Sequence, residues 1–183
     1  MLPLIIILAV VVILVLYVIA VYNRLVTLKN RVAEAWAQID VQLRRRYDLI
    51  PNLVNTVKGY AAHENEIFTK VAEARQQAIQ AQGPGPQGQA ENQITGALRQ
   101  LFAVVENYPQ LKANENFLAL QEELTGTEGK IAFARQFYNE TVRTWNTIIQ
   151  TFPTSIIANM RGDKSAEYFE IEEAATGPVQ VQF

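Results

Sequence analysis

Hydrophobic residues follow a helical period over most of the chain after residue 24. Apolar side chains recur at steps of three and four residues from Leu25 to Ala78, which places them on one face of a helix. Pro51 interrupts this stripe. Because proline lacks an N–H and its ring crowds the preceding turn, the sequence predicts a kink or a restart of the helix there, with Asp48 available as a cap. The periodicity does not distinguish a kink from a break.

Two further helices are predicted after a turn. The run Gly83-Pro84-Gly85-Pro86-Gln87-Gly88 carries the strongest turn signals of the chain and is predicted to be a loop. A second helix follows it and ends at Tyr108-Pro109. A third helix begins near Asn114 and runs to Phe152, where Pro153 stops it.

The third helix carries a seven-residue repeat of large apolar side chains, which is typical of coiled-coil-like packing. These positions are predicted to form a buried core seam: Phe117, Leu124, Ile131, Tyr138, Trp145 and Phe152. No strand-like alternation of comparable length competes with this pattern. The sequence therefore predicts an all-α protein, with one N-terminal transmembrane helix followed by an antiparallel bundle of three to four long helices.

Charged and polar residues near the predicted core are candidates for a polar layer, a group of buried polar side chains that fixes helix register. The candidates are Asp40, Arg44, Arg46, Asp48, Gln121, Glu128 and Arg135. Arg44 or Arg46 is the expected partner of Glu128, and Asp40 or Asp48 that of Arg135. An active centre, or contact of the arginines with anionic lipid headgroups, is the alternative interpretation of the same residues.

The first 23 residues differ in composition from the rest, because 21 of them are apolar. The uncharged run from Leu2 to Tyr22 would span roughly 31 Å as a helix, enough to cross a hydrocarbon core. A cleaved signal peptide is disfavoured, because no basic residue precedes the run and the run is long. Arg24, Lys29 and Arg31 follow it, so the positive-inside rule predicts an outside N-terminus and a cytoplasmic domain.

Three segments are predicted on this basis: a transmembrane anchor at residues 1–23, a helical bundle domain at 24–153 and an acidic C-terminal tail at 154–183. The tail combines glutamates with the apolar alternation of Val179, Val181 and Phe183. Either a solvated, partly mobile terminus or a segment that docks on the bundle or a partner fits this composition.

The composition limits the kinds of catalytic, metal-binding and nucleic-acid-binding sites that the chain can contain. With 183 residues, no cysteine and a single histidine, His63, the chain offers neither thiolate catalysis nor a multi-histidine metal site. The net charge of −2 gives no basic field for nucleic acid. No phosphate-binding loop or catalytic constellation is recognisable, so no catalytic, cofactor-binding or metal-binding residues are predicted.

Several short motifs, in order along the chain, resemble those of the bacterial LemA family. The most specific is Arg45-Arg46-Tyr47-Asp48-Leu49-Ile50-Pro51-Asn52-Leu53-Val54. It is accompanied by Tyr22-Asn23-Arg24-Leu25-Val26, Ala35-Trp36, Ile39-Asp40-Val41-Gln42-Leu43, Tyr108-Pro109, Leu111-Lys112-Ala113-Asn114, Ala134-Arg135, Tyr138-Asn139 and Phe152-Pro153. The resemblance covers about residues 1–175. It implies a membrane-anchored helical bundle without known enzymatic activity and hints at membrane-protein assembly or quality control. Gly126 and Gly129 depart from the family pattern.

The sequence thus predicts a non-enzymatic, single-pass membrane protein whose cytoplasmic bundle acts as an interaction or scaffold module. Its expected partners are the lipid bilayer and other membrane proteins, with no nucleic acid and no cofactor. One alternative is a structural protein that self-assembles as a homo-oligomer beneath the membrane. Another is an enzyme that uses Tyr47, Asp48 and Glu128 for proton transfer.

Overall fold

The computed structural model describes residues 2–170, and every regular element within that range is an α-helix. The helices are α1 (Leu2–Lys58), α2 (Asn65–Gln80), α3 (Pro84–Val105), α4 (Pro109–Lys112), α5 (Glu115–Gln150) and α6 (Thr154–Arg161). The predicted all-α class is therefore confirmed. The alternating apolar residues of the predicted tail lie outside the described residues: Val179, Val181 and Phe183.

The N-terminal part of α1 is apolar and exposed. It contains a stretch long and apolar enough to cross a membrane, and only 6% of that stretch is buried within the protein. A core helix of a soluble protein would be mostly buried instead. Because exposing so many large apolar side chains to water is costly, the finding supports a membrane-associated protein.

The chain divides into two compact units, and the first comprises residues 2–40 and 133–167. Its core contains Leu25, Leu28, Trp145 and Ile149, together with Ala158 of α6. The tilted ring pair of Trp36 and Tyr138 extends the contact between α1 and α5, with ring centroids 5.4 Å apart. Since later residues of α1 meet earlier residues of α5, the two helices run antiparallel in this unit.

The chain segment after α6 is held against α5 by side chains that bond to its backbone. Trp145 Nε1 donates to the carbonyl of Lys164 at 3.0 Å, and the Tyr138 hydroxyl donates to that of Glu167 at 2.9 Å. Asn146 bonds Ala166 through both its amide nitrogen and its amide oxygen. Burial and the nearby Glu167 raise the pKa of Tyr138 to about 12. This described part of the predicted tail is therefore docked rather than solvated.

The second unit comprises residues 41–132 and 168–170, in which α2 and α3 pack together. Arg75 of α2 and Glu91 of α3 bond to α1, and the ring of Phe102 on α3 lies 6.4 Å from that of Phe117 on α5. Its apolar interior includes residues from each long helix: Ile50, Leu53, Val57, Val71, Ile94, Leu98, Leu101, Phe117 and Leu124. The ring of Phe169 is completely buried in this unit. A Cβ added to Gly88 would overlap the carbonyl oxygen of Glu170, so glycine permits the close approach of the two backbones.

Two helix boundaries differ from those predicted. Of the two outcomes predicted at Pro51, the restart does not occur, because α1 continues through it to Lys58, whereas the kink stays a prediction; the chain turns at 59–64 before α2. The predicted loop at Gly83–Gly88 is also wrong, since α3 begins at Pro84. Proline suits the first helical turn, whose N–H groups have no partner within the helix, and Gly83 supplies the positive φ of 86° before it.

Five of the six predicted seam positions, which recur every seven residues, are buried, and all five lie in α5: Phe117, Leu124, Ile131, Tyr138 and Trp145. Phe152 contradicts the prediction, because its side chain is 77% exposed. The helix ends at Gln150, and Pro153 precedes α6, so the helical rotation that would bring position 152 back to the core is lost. The departing Gly126 and Gly129 lie inside α5 without interrupting it.

Candidate functional site

A cluster of buried polar side chains lies inside the second unit, and α1 contributes two of its members. Leu43, Arg46 and Ile50 follow one another at helical spacing on the buried face of α1. Arg46 therefore takes a core position and is only 2% exposed. Tyr47, the next residue, is also buried.

Helix α3 supplies the counterpart. Its buried stripe begins with Gln87 and Glu91 and continues through Ile94 and Leu98. Glu91 is completely buried, which a carboxylate tolerates only when cationic and hydrogen-bonding groups surround it. We call Arg46, Tyr47, Gln87 and Glu91 the buried polar cluster.

Both carboxylate oxygens of Glu91 are bonded within the buried polar cluster. Arg46 Nη1 donates to Oε2 at 2.7 Å, and the hydroxyl of Tyr47 donates to Oε1. The Gln87 amide nitrogen lies 3.1 Å from the same Oε1, 2.7 Å from the Tyr47 hydroxyl oxygen and 3.1 Å from the carbonyl of Ala78. The cluster thus satisfies the hydrogen-bonding capacity of a fully desolvated carboxylate.

Arg46 is held from two further directions. Its Nη2 donates to the Thr95 hydroxyl at 3.1 Å, and its Nε lies 2.8 Å from Oε1 of Glu128 on α5. The Nε–Glu128 contact is an ion pair without hydrogen-bond alignment. Desolvation raises the pKa of Glu128, Arg46 opposes that rise, and the negative charge of Glu91 adds to it. Because 41% of the Glu128 side-chain surface remains exposed, water also stabilises its charge.

Helix α2 is attached to the backbone of α1 beside the buried polar cluster. Pro51 has no N–H, so the carbonyl of Tyr47, four residues earlier, lacks its usual helical partner. Arg75 Nε donates to that carbonyl at 2.7 Å. The guanidinium therefore replaces the missing helical hydrogen bond, and α1 continues without a break.

The buried polar cluster is better suited to joining helices than to catalysis or metal binding. Among residues 2–170, no group of three or more histidine, aspartate or glutamate side chains is placed to hold a metal ion. Glu91 is enclosed by protein groups that occupy both its oxygens, so it presents no free oxygen to a substrate. The cluster resembles a register-fixing layer in a helical bundle.

The structure distributes the seven polar-layer candidates unevenly. Arg46 is buried and contacts Glu128, which is the pair considered from the sequence. Asp40 and Arg135 are half-buried. Arg44, Asp48 and Gln121 are exposed, so their placement in a buried layer is wrong.

The exposed candidates turn outward for identifiable reasons. Successive side chains of an α-helix point about 100° apart around its axis. Arg44 and Asp48 directly follow the buried Leu43 and Tyr47, so they point away from the buried face of α1. Gln121 keeps the seam spacing, but at its end of α5 the buried face is narrower and holds only Phe117 and Leu124. The enzyme hypothesis also loses support, because Tyr47 is buried and bonded whereas Asp48 faces solvent.

Sequence reasoning missed Gln87, Glu91, Thr95 and Arg75. A signal for Gln87 and Glu91 was present, since they extend the spacing of Ile94 and Leu98 toward the N-terminus of α3. Treating the glycine–proline run as a loop hid that extension. For Arg75, the signal is the carbonyl that Pro51 leaves without a helical donor.

The described part of the chain is helical, has an exposed apolar N-terminal stretch and encloses the buried polar cluster. These features place the chain in the class of membrane-associated helical proteins. Within this class the chain belongs to the LemA family, whose sequence profile matches residues 35–183. The resemblance noted in the sequence is thereby confirmed.

Curated relatives extend this comparison. Magnetosome protein MamQ 2 of Paramagnetospirillum magneticum is 28% identical over 184 residues, covering 86% of this chain and 68% of the relative. Magnetosome protein MamQ of Magnetospirillum gryphiswaldense is 27% identical with the same coverage. Protein LemA of Metamycoplasma hominis is 26% identical over 155 residues, covering 82% of this chain and 69% of the relative.

Proposed function

We propose that the chain is a non-enzymatic, single-pass membrane protein whose helical domain is an interaction scaffold for other membrane proteins, in their assembly or quality control. The enclosure of Glu91 carries the proposal. Among residues 2–170 it is the most completely buried charged side chain, and both its oxygens bond to side chains of α1, so it serves to join helices. The printed names of the relatives, which are magnetosome protein MamQ and protein LemA, state no reaction.

The proposed topology places the N-terminus outside and the domain in the cytoplasm, at the inner membrane. The basic residues that follow the apolar span support it. Gln76 on α2 is exposed and can carry a topology reporter. We expect Gln76→Cys to resist a membrane-impermeant thiol reagent in intact cells and to react after lysis. Because the natural chain has no cysteine, labelling before lysis would reverse the topology.

A surface for protein contacts is available on α5. Phe133 and Phe137, one helical turn apart, are exposed aromatic side chains in the first unit. An exposed aromatic pair favours contact with another protein, because aromatic residues are enriched at interfaces.

Site-specific photo-crosslinking tests the scaffold. A photoreactive residue at Gln136, exposed between the two phenylalanines, is expected to give crosslinks to other membrane proteins in cells. Phe133→Ser with Phe137→Ser should abolish those crosslinks, whereas Ile79→Ser, which removes an exposed apolar side chain on α2, should leave them. Crosslinks only between copies of the chain, together with oligomers in sedimentation, would favour the self-assembling alternative. Crosslinks insensitive to the double substitution would contradict this contact surface.

A further inference from the structure

Helix α6 is packed against α1 immediately after the apolar span. Its Ala158 shares a core cluster with Val21 and Leu25. At its end, Arg161 Nη1 donates to the carbonyl of Tyr22 at 3.2 Å, and the guanidinium lies 4.5 Å from the centroid of the Tyr22 ring. Tyr22 is the last residue of the uncharged run, so α6 is fixed to the position at which the span ends.

Both ends of α6 lie near the residues at which the apolar span of α1 ends. Thr154, the first residue of α6, lines a groove together with Arg24, while Arg161 at the other end contacts Tyr22. Tyr22 and Arg24 differ by roughly 3 Å of helical rise. Helix α6 is therefore held beside the end of the apolar span of α1.

The face of α6 that points away from the core is apolar. Ile156 and Met160 of α6 lie four residues apart and are 52% and 84% exposed, and Phe152, in the turn before α6, is 77% exposed. The inner face carries Ala158 and the half-buried Ile157. An isolated soluble domain would not gain from three large exposed apolar side chains within residues 152–160.

We propose that α6 is an interfacial helix and that its Ile156 and Met160 side chains, together with Phe152 of the preceding turn, enter the boundary between the headgroups and acyl chains of the bilayer. The polar layer on each side of the hydrocarbon core is roughly 5–7 Å thick, and the contact of Arg161 with Tyr22 holds α6 beside the end of the span. Continuity with the apolar span identifies lipid as the occupant. Arg24, which is exposed, is a suitable partner for lipid phosphates, whereas Arg161 is paired with Asp163 within the protein.

The proposal rests on α1 crossing the bilayer and is independent of the scaffold function. It is tested with nitroxide spin labels on the full chain, reconstituted in vesicles of phosphatidylethanolamine and phosphatidylglycerol. The labels are attached at Met160→Cys, at Ile156→Cys and, as a control, at Phe133→Cys. Phe133 is also apolar and exposed, but it lies on α5 beyond Tyr138, whose partner Trp36 is roughly 21 Å of helical rise past Tyr22.

The expected result is a ratio of oxygen to nickel-chelate accessibility several-fold higher at positions 156 and 160 than at 133, because oxygen concentrates in lipid and the chelate stays in water. Circular dichroism of each labelled chain establishes that the helices are retained. Equal ratios at the three positions would overturn the proposal. Protection of 156 and 160 from both reagents, with dipolar broadening between labels, would also overturn it and assign the face to a second copy of the chain.

Discussion

Replacement of Gly88 by alanine is expected to release the docked segment at residues 168–170. The new Cβ would lie 3.1 Å from the carbonyl carbon of Glu170 and closer still to its oxygen. The backbone there must therefore move by roughly 1 Å to reach ordinary contact. The adjacent Phe169 ring is completely buried, and its burial contributes about 3 kcal/mol.

The net magnitude includes an opposing gain. Alanine stabilises a helix interior by about 1 kcal/mol relative to glycine, so Gly88→Ala should lower the free energy of unfolding by about 2 kcal/mol. The matched control is Gly96→Ala on the same helix, where a Cβ meets nothing within 4 Å. That change should raise the free energy of unfolding by about 1 kcal/mol. The two glycine variants should thus differ by about 3 kcal/mol.

Urea unfolding of the full chain in detergent, followed by circular dichroism, measures these differences. Phe169→Ala should cost about 3–5 kcal/mol, and Gly88→Ala in that background should cost nothing further and recover up to about 1 kcal/mol, because the docked segment is already released and only the helical gain of alanine remains. If Gly88→Ala stabilised the protein as much as Gly96→Ala does, or if the losses from Gly88→Ala and Phe169→Ala were additive, the reasoning would be refuted.

Three further predictions concern ionisable groups. Glu91→Gln should lower the free energy of unfolding by about 3 kcal/mol in urea, because it leaves Arg46 buried without its main counter-charge; a neutral effect would contradict the ionic role. Glu128 has a raised pKa, so the wild type should lose stability relative to Glu128→Gln as the pH rises above about 4.5 through that pKa, and urea titrations at several pH values would show it. Tyr138 should ionise only near pH 12, and difference absorbance against Tyr138→Phe should reveal no such phenolate at pH 11.

The helices and much of the core could be predicted because their signals are local. The seam of α5 repeats every seven residues, and a period held over several turns specifies one buried face. Phe152 followed the same spacing and was misplaced, because the spacing holds only while the helix continues. The turn at 59–64 was missed because the apolar pattern continues although the helix ends: the stripe of α1 resumes in α2.

The buried polar cluster was only partly predictable. Arg46 belongs to the apolar stripe of α1, which marks it as buried, but the sequence cannot place Glu91 beside it, since their proximity depends on the packing of α3 against α1. The choice among acidic partners is a tertiary property. Glu128 was found because its spacing in α5 is strictly periodic, and Glu91 was hidden by the prolines and glycines that begin α3.

The bond from Arg75 to the carbonyl of Tyr47 gives Pro51 a constructive part in the assembly of the domain. A proline here creates a vacant backbone acceptor at one fixed height on α1, and a side chain of α2 recognises it. This recognition depends on the main chain at position 47, so it survives any substitution of the tyrosine side chain that keeps the helix. The fitness effects of positions 51 and 75 are consequently tied together: in relatives, arginine at 75 should have value chiefly where proline occupies 51.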